Sequence, residues 1–240
     1  SIIFLRKIKN LKIICIERTD ISELLWYDTF FKYLKNIIIF IFVKIYYKNA
    51  DVIISNTLSG KKDLIEITKA KVKAIHSPSF SYYYQKKKNN FTNLSIISVG
   101  RLVKEKGYET ILKALTLIKT KKFKYYILGE GPEKKKLKKV ISRYGLNKNV
   151  NLLGFKDPKK YLKKSNLFIN ASIFEGFPNA VVEAVNSCLP TICSDCKGGA
   201  KEILLNGKGG YFFKTNNPED LSKKINIFWS KPKILEKKMM

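Results

Sequence analysis

Apolar positions along this chain fall into short runs separated by longer stretches of helical periodicity, and the two kinds alternate. LKIICIE (11–17) is nearly continuous and β-branched, which predicts a buried parallel strand. Asp20 and Ser22 then offer cap chemistry for a long helical segment running to Ala50. Its densest part, IIIFIFVKIYY (37–47), is too short and too interrupted to span a bilayer. It reads as a core helix, with an interfacial helix flanked by Lys32, Lys35, Lys44 and Lys48 as the alternative. DVIIS (51–55) predicts a strand, NTLSGKKDLIEITKA a helix and VKAI (72–75) another strand.

SPSFSYYYQKKKNNFTN (77–93) breaks all periodicity and marks a domain boundary. The expected organisation is a partial domain over 1–80, a linker over 81–93, a second domain over 94–230 and a basic tail over 231–240. In the second domain the alternation is regular. Strands are predicted at LSIISVG (94–100), FKYYILG (123–129), NVNLLG, NLFINA, PTICS (190–194) and GYFF (210–213). Helices are expected between them, one of them over about 178–188, and a last one from Pro218. Strand and helix in alternation predict a doubly wound α/β fold with a parallel sheet, which binds ligands at the carboxyl ends of its strands. Gly100, Gly129, Gly154 and the Glu175-Gly176 loop fall at those ends.

Composition changes the picture in two ways. With 45% hydrophobic and 12% aromatic residues the chain can bury a core, which excludes global disorder. The net charge of +28 suggests polyanion binding, yet only four of the 47 basic residues are arginine. Readers of nucleic acid and phosphate lean on arginine's fork, so diffuse lysine fits compositional drift, or attraction to an anionic membrane face, better. Cys193 and Cys196 form a C-x2-C pair without two further ligands, and no metal site is expected. The chain begins on serine and is expected to be a fragment.

The candidate chemistry lies at the strand ends. FEGFPNAVVEA (174–184) holds Glu175 and Glu183 on either side of a Gly-Phe-Pro-Asn turn. Pro178 suits a first helical position, and the amides at that helix start form an anion site. SVGRLVKEKG (98–107) places Arg101 and Lys106 where both could clamp a diphosphate, with surface cations in a turn as the equal alternative. LGEGPE (128–133) permits close backbone approach by a ligand. SDCKGGAKEIL (194–204), with Gly198, Gly199 and Glu202, reads as a tight turn or another anion-facing loop.

The order GRL-x2-EKG, LGEGPE, NLLGF, EGFPNAVVEA and Gly-Gly-x2-Glu resembles the second domain of family 4 glycosyltransferases, whose two-Rossmann architecture is called GT-B. The match runs from about Ser95 to Phe213, and ADVIISN (50–56) is similar to the end of the first domain. The tail SDCKGGAKEILLNGKGGYFF is most similar to bacterial enzymes that build lipid-linked oligosaccharides and surface polysaccharides.

The resemblance implies a retaining hexosyltransferase that uses a UDP- or GDP-sugar donor, with no cofactor and no metal, in keeping with the lack of a DxD triplet. Arg101 and Lys106 would neutralise the donor diphosphate. Glu175 would hold the donor sugar and stabilise charge at its anomeric carbon, with Gly176, Phe177, Pro178 and Asn179 lining sugar and phosphates. Glu183 would accept from the ribose, and Gly129, Gly154 and Phe155 would lie near the base. The implied partners are a nucleoside-diphosphate sugar, a glycan or lipid-linked acceptor and an anionic membrane face, in the cytoplasm. The family's early glycine-rich loop and catalytic histidine have no counterpart; His76, in the AIHSPSF connection between the domains, does not take that role. Alternatives are a nucleotide-sugar epimerase or glycan synthase of the same architecture, a basic nucleic-acid-binding module, and a non-catalytic donor-binding protein.

Overall fold

A computed structural model of the chain describes residues 11–18, 21, 30–76, 93–120, 122–232 and 234. Asp20, Ser22, the Lys32 side chain, most of the expected linker and the end of the tail lie outside the described residues. The chain divides into two compact units. One is Ser1–Pro78 with Phe174–Phe177 and Lys197–Glu202; the other is Ser79–Ile173 with Pro178–Cys196 and Ile203–Met240.

In the first unit, β1 (Ile14–Glu17), β2 (Val52–Ser55) and β3 (Val72–Ala74) form a parallel sheet in the order β1-β2-β3. Helix α1 (Phe30–Tyr46) ends in a 3-10 turn, Tyr47–Asn49, and α2 (Leu58–Thr68) connects β2 to β3. Thr57 caps α2 by accepting from Gly60 N at 2.8 Å, and Lys69 closes it in the left-handed conformation. Ile13, Val43, Ile53, Leu64 and Val72 make the core.

Two expectations change here. β1 is not buried on both faces: Ile14 and Ile16 are 58% and 67% exposed, because successive strand residues face opposite ways and the core covers only one side. Nor is α1 a core helix among the described side chains. Val43 is buried, while Leu34, Ile38, Ile41, Phe42 and Ile45 are exposed. Their spacing of three and four residues puts them in one stripe, away from the side that packs on the sheet.

The second unit carries a six-stranded parallel sheet in the order β6-β5-β4-β7-β8-β9. Its strands are β4 (Leu94–Val99), β5 (Phe123–Leu128), β6 (Val150–Gly154), β7 (Leu167–Asn170), β8 (Thr191–Ser194) and β9 (Tyr211–Phe213). The connecting helices are α3 (Tyr108–Leu117), α4 (Lys134–Arg143), α5 (Lys159–Lys164), α6 (Asn179–Asn186) and α7 (Ala200–Ile203), and α8 (Pro218–Ser230) follows β9. Leu94, Ile96, Tyr125, Leu167 and Ile169 from the sheet meet Ile111, Leu112, Leu221, Ile225 and Phe228 from α3 and α8 in one core. A polar thread crosses three strands within it. Tyr125 donates to Ser98 Oγ at 2.9 Å, and Ser98 donates to the Ile169 carbonyl at 2.6 Å. Burial holds the Tyr125 phenol well above its ordinary pKa, so it stays a donor.

Counting from β4, the strand order is 3-2-1-4-5-6, and the direction of winding reverses between β4 and β7. The doubly wound expectation is therefore met, and the loops after β4 and β7 flank the reversal. Around it, backbone touches backbone. A Cβ on Gly129 would lie 1.9 Å from the Gly100 carbonyl oxygen, and one on Gly107 would lie 2.0 Å from that of Ala171. Gly129 also has φ +145, a conformation L residues rarely adopt. The close backbone approach at Gly129 is made, on the side a Cβ would occupy, by the neighbouring loop.

Gly129→Ala should lower unfolding free energy by about 1–3 kcal/mol, since both the backbone conformation and the contact resist a methyl group. Denaturant titration checks this: the midpoint falls with the slope kept, and an unchanged midpoint refutes the steric reading.

Candidate functional site

Arg101 and Lys106 lie in the loop after β4, on one side of the reversal point. That loop is held at several places. Tyr108 donates to the Gly100 carbonyl at 2.8 Å, Leu102 N donates to Glu130 O at 2.8 Å, and Glu133 N donates to Leu102 O at 3.0 Å. Leu102 is fully buried, whereas its neighbour Arg101 is exposed. A short 3-10 turn, Lys104–Lys106, then carries Lys106 to Gly107. Ile173 N donates to the Glu105 carbonyl at 2.7 Å and ties this loop to the one after β7. A small hollow at the reversal point is lined by Ser98, Val99, Lys106, Asn170, Ala171 and Ser172. The structure thus brings Lys106 to the crevice that the topology defines.

Glu183 lies on α6, where Val181 and Ala184 face the core. Its carboxyl pKa is raised by burial first and then by Asp157, with Lys159 opposing. Both modifiers follow the strand end that carries Gly154 and Phe155. Gly129 N donates to Gly154 O at 2.8 Å, and Phe155 is 89% exposed. Gly129 and Gly154 are therefore neighbours, and Asp157, two residues past Phe155, acts on Glu183. Asp157 and Lys159 are residues the sequence reading missed; the DPKK run beside NLLGF gave a charge signal without a location. Glu183 is thus a partly desolvated carboxylate kept at a cost, with a second acid acting on it.

Pro178 takes the cap position instead of the first helical one. Its ψ of 92 is extended, and its carbonyl accepts from Val181 N at 2.9 Å, so α6 begins at Asn179. The amides of Asn179 and Ala180 precede that first bond, as the anion-site reading requires.

Glu175, Gly176 and Phe177 lie in the connection from β7 to α6 and group with the first unit. Glu175 is half-buried. This segment rests on the Gly198-Gly199 turn: Gly199 N donates to Gly176 O at 2.7 Å, and a Cβ on Gly198 would lie 1.8 Å from the Glu175 carbonyl oxygen. SDCKGGAKEIL forms a tight turn here, with the Gly199 amide engaged by the Gly176 carbonyl. Glu202 is engaged elsewhere: Leu58 N and Ser59 N donate to its Oε1 at 2.8 and 3.1 Å. Cys193 and Cys196 are both buried, and among the described residues no three His, Cys, Asp or Glu side chains gather as metal ligands.

A doubly wound sheet with a cationic loop at its reversal point defines an α/β class of protein that takes its ligands at the carboxyl ends of the strands. The chain belongs to the glycosyl transferases group 1 family, whose model matches residues 83–239. Over 236 residues it is 35% identical to an uncharacterised glycosyltransferase of Methanocaldococcus jannaschii, covering 85% of this chain and 56% of that protein. Over 186 residues it is 31% identical to N-acetylgalactosamine-N,N'-diacetylbacillosaminyl-diphospho-undecaprenol 4-alpha-N-acetylgalactosaminyltransferase of Campylobacter jejuni, covering 75% of this chain and 51% of that protein. Anabaena HepE, solved with UDP-glucose, superposes with a TM-score of 0.79 at 18% identity, over 95% of this chain and 65% of that one. At that identity the likeness carries the fold alone, and it agrees with the GT-B expectation. The chain spans about half the length of the curated relatives it matches.

The raised pKa of Glu183 makes a pH prediction. A carboxyl with a raised folded-state pKa contributes stability that is present in acid and lost as pH rises through its folded pKa. Glu183→Gln removes that loss, so the variant's melting temperature relative to the parent should climb as pH rises from the ordinary carboxylate range through the raised Glu183 pKa. A difference that stays flat or falls with pH contradicts the assignment; thermal melts across that range decide it.

Proposed function

We propose that this chain carries the donor half of a retaining glycosyltransferase, which moves a hexose from a nucleoside-diphosphate sugar to a glycan or lipid-linked acceptor in surface-glycan synthesis. The observation that carries the reading is the pairing of the sheet's reversal point with the Arg101–Lys106 loop. A diphosphate seated there meets two cations and the amides at the start of α6. Those cations supply, without a metal or other cofactor, the charge that stabilises the departing nucleoside diphosphate. Glu183 accepts from the ribose hydroxyls and takes up its charge in a place already prepared for a donor. Phe155, with Gly129 and Gly154 beside it, receives the base. Glu175, with Gly176, Phe177, Pro178 and Asn179, serves the donor sugar.

The named activity of the Campylobacter relative, which acts on a diphospho-undecaprenol, supports a lipid-linked acceptor. The HepE complex with UDP-glucose supports the donor class. Titrating UDP, GDP and their sugars into the protein tests the donor reading. Arg101→Ala and Glu183→Ala should each weaken binding by ~1.5–3 kcal/mol, or about one to two decades in Kd. Affinity indifferent to both substitutions removes the assignment.

We further propose that the protein works at the cytoplasmic membrane face, a reading that a second observation supports. The exposed stripe Leu34, Ile38, Ile41, Phe42 and Ile45 on α1 is accompanied by Lys35, Lys44 and Lys48. Among the described residues no helix is long and apolar enough to cross a membrane, so α1 would lie in the plane of an anionic surface. In flotation with vesicles containing phosphatidylglycerol, the protein should rise with the lipid, and Ile38→Glu combined with Phe42→Glu should leave it at the bottom. Equal flotation on neutral vesicles, or none on anionic ones, removes this role.

A further inference from the structure

Helix α2 holds the segment 197–202 at two points. Lys197 Nζ lies 2.7 Å from Asp63 Oδ1, and the Asp63 side chain is 8% exposed. One turn earlier in α2, Glu202 Oε1 accepts from the backbone amides of Leu58 and Ser59. This is what a capping glutamate does within its own helix, supplied here from a distant part of the chain. The other oxygen, Oε2, lies 2.8 Å from His76 Nε2. The His76 ring in turn stacks on Phe177, with centroids 5.4 Å apart and planes at 23°. Between the two anchors, Gly198 and Gly199 press on the backbone of Glu175 and Gly176 without side chains in the way. A Cβ on Gly199 would come within 2.8 Å of the Phe177 ring.

Helix α2, the 197–202 segment and the 174–177 segment are thus stacked in sequence. Phe177 is two residues from Glu175 in the same short segment, whose backbone the Gly198-Gly199 turn also contacts. Capping alone would require only one Glu202 oxygen. The second oxygen and the histidine extend the chain of contacts to the segment assigned to the donor sugar.

We propose that Glu202 and His76 are positioning residues for donor-sugar recognition. Through Phe177 they hold the Glu175–Phe177 segment in the place from which Glu175 reaches the sugar. This rests on the donor reading given above. The role differs from that of Arg101 and Glu183, because it concerns the sugar and leaves the nucleoside diphosphate untouched.

The test measures Kd for UDP, UDP-glucose, GDP and GDP-mannose with the unsubstituted protein and with His76→Ala, His76→Phe and Glu202→Gln. The readout is the ratio of the diphosphate Kd to that of its sugar conjugate. His76→Ala and Glu202→Gln should cut that ratio by about threefold to tenfold, with the diphosphate Kd kept within about twofold. His76→Phe, which restores a ring against Phe177 without the bond to Glu202, should recover part of it. Glu202→Gln keeps a carbonyl oxygen for the amides of α2, so a folded variant is assured against simple loss of the cap, and far-UV circular dichroism verifies it. An unchanged ratio in folded variants overturns the proposal, as does an unsubstituted protein that binds both ligands of each pair equally. Failure to bind either diphosphate instead overturns the donor reading itself.

Discussion

Loop backbones at the carboxyl edge of the six-stranded sheet touch one another directly, and that contact is the constraint on which the site depends. Gly129 lies against the Gly100 carbonyl and Gly107 against that of Ala171, at distances no side chain would permit. Close approach fixes the loop after β4 between its neighbours. Arg101 is therefore presented from a braced turn, with buried Leu102 as its anchor. Long cationic side chains lose much rotamer entropy when they bind, and a rigid base limits the loss to the side chain itself. Gly198 repeats the arrangement in the other unit, where it bears on the Glu175 carbonyl. Glycine in these motifs serves loop-on-loop contact first, and any ligand approach follows from it.

Charge is distributed with a contrast that net charge conceals. The protein carries +28 overall, so a carboxylate at its surface should be comfortable. Glu183 is not: burial and the nearby Asp157 outweigh Lys159 and raise its pKa. A local environment that opposes the global field in this way has a cost in the ligand-free protein. Hydroxyl donors would offset that cost by hydrogen-bonding the charged form. Much of the lysine, by comparison, sits on exposed helix faces, as in α4 with its KKKLKK run.

Much of the fold was legible in the chain. Strand and helix alternation from Leu94 to Phe213 was readable because each crossover repeats the same local change of period, and the observed elements fall where it placed them. The order of GRL-x2-EKG, LGEGPE and EGFPNAVVEA was enough to point to the family, since those motifs are contiguous. Less legible was burial. The apolar run of α1 and the strand LKIICIE both suggested interior positions, yet each shows solvent one of its faces. Hydrophobicity reports what a segment can bury; the neighbours that cover it lie elsewhere in the chain.

The sequence by itself determined the period of each element, the turn chemistry at its ends and the residue types delivered to the strand ends. Only the tertiary structure decided which strand ends are neighbours. The 3-2-1-4-5-6 order puts the loop of Arg101 beside that of β7, far apart though they are in the chain. It also set Asp157 near Glu183 and joined His76 to Glu202 across 126 positions. Periodicity and turn preference arise from interactions a few residues long and can be read locally. Strand order and side-chain pairing come from long-range packing, in which each contact depends on every element being in place.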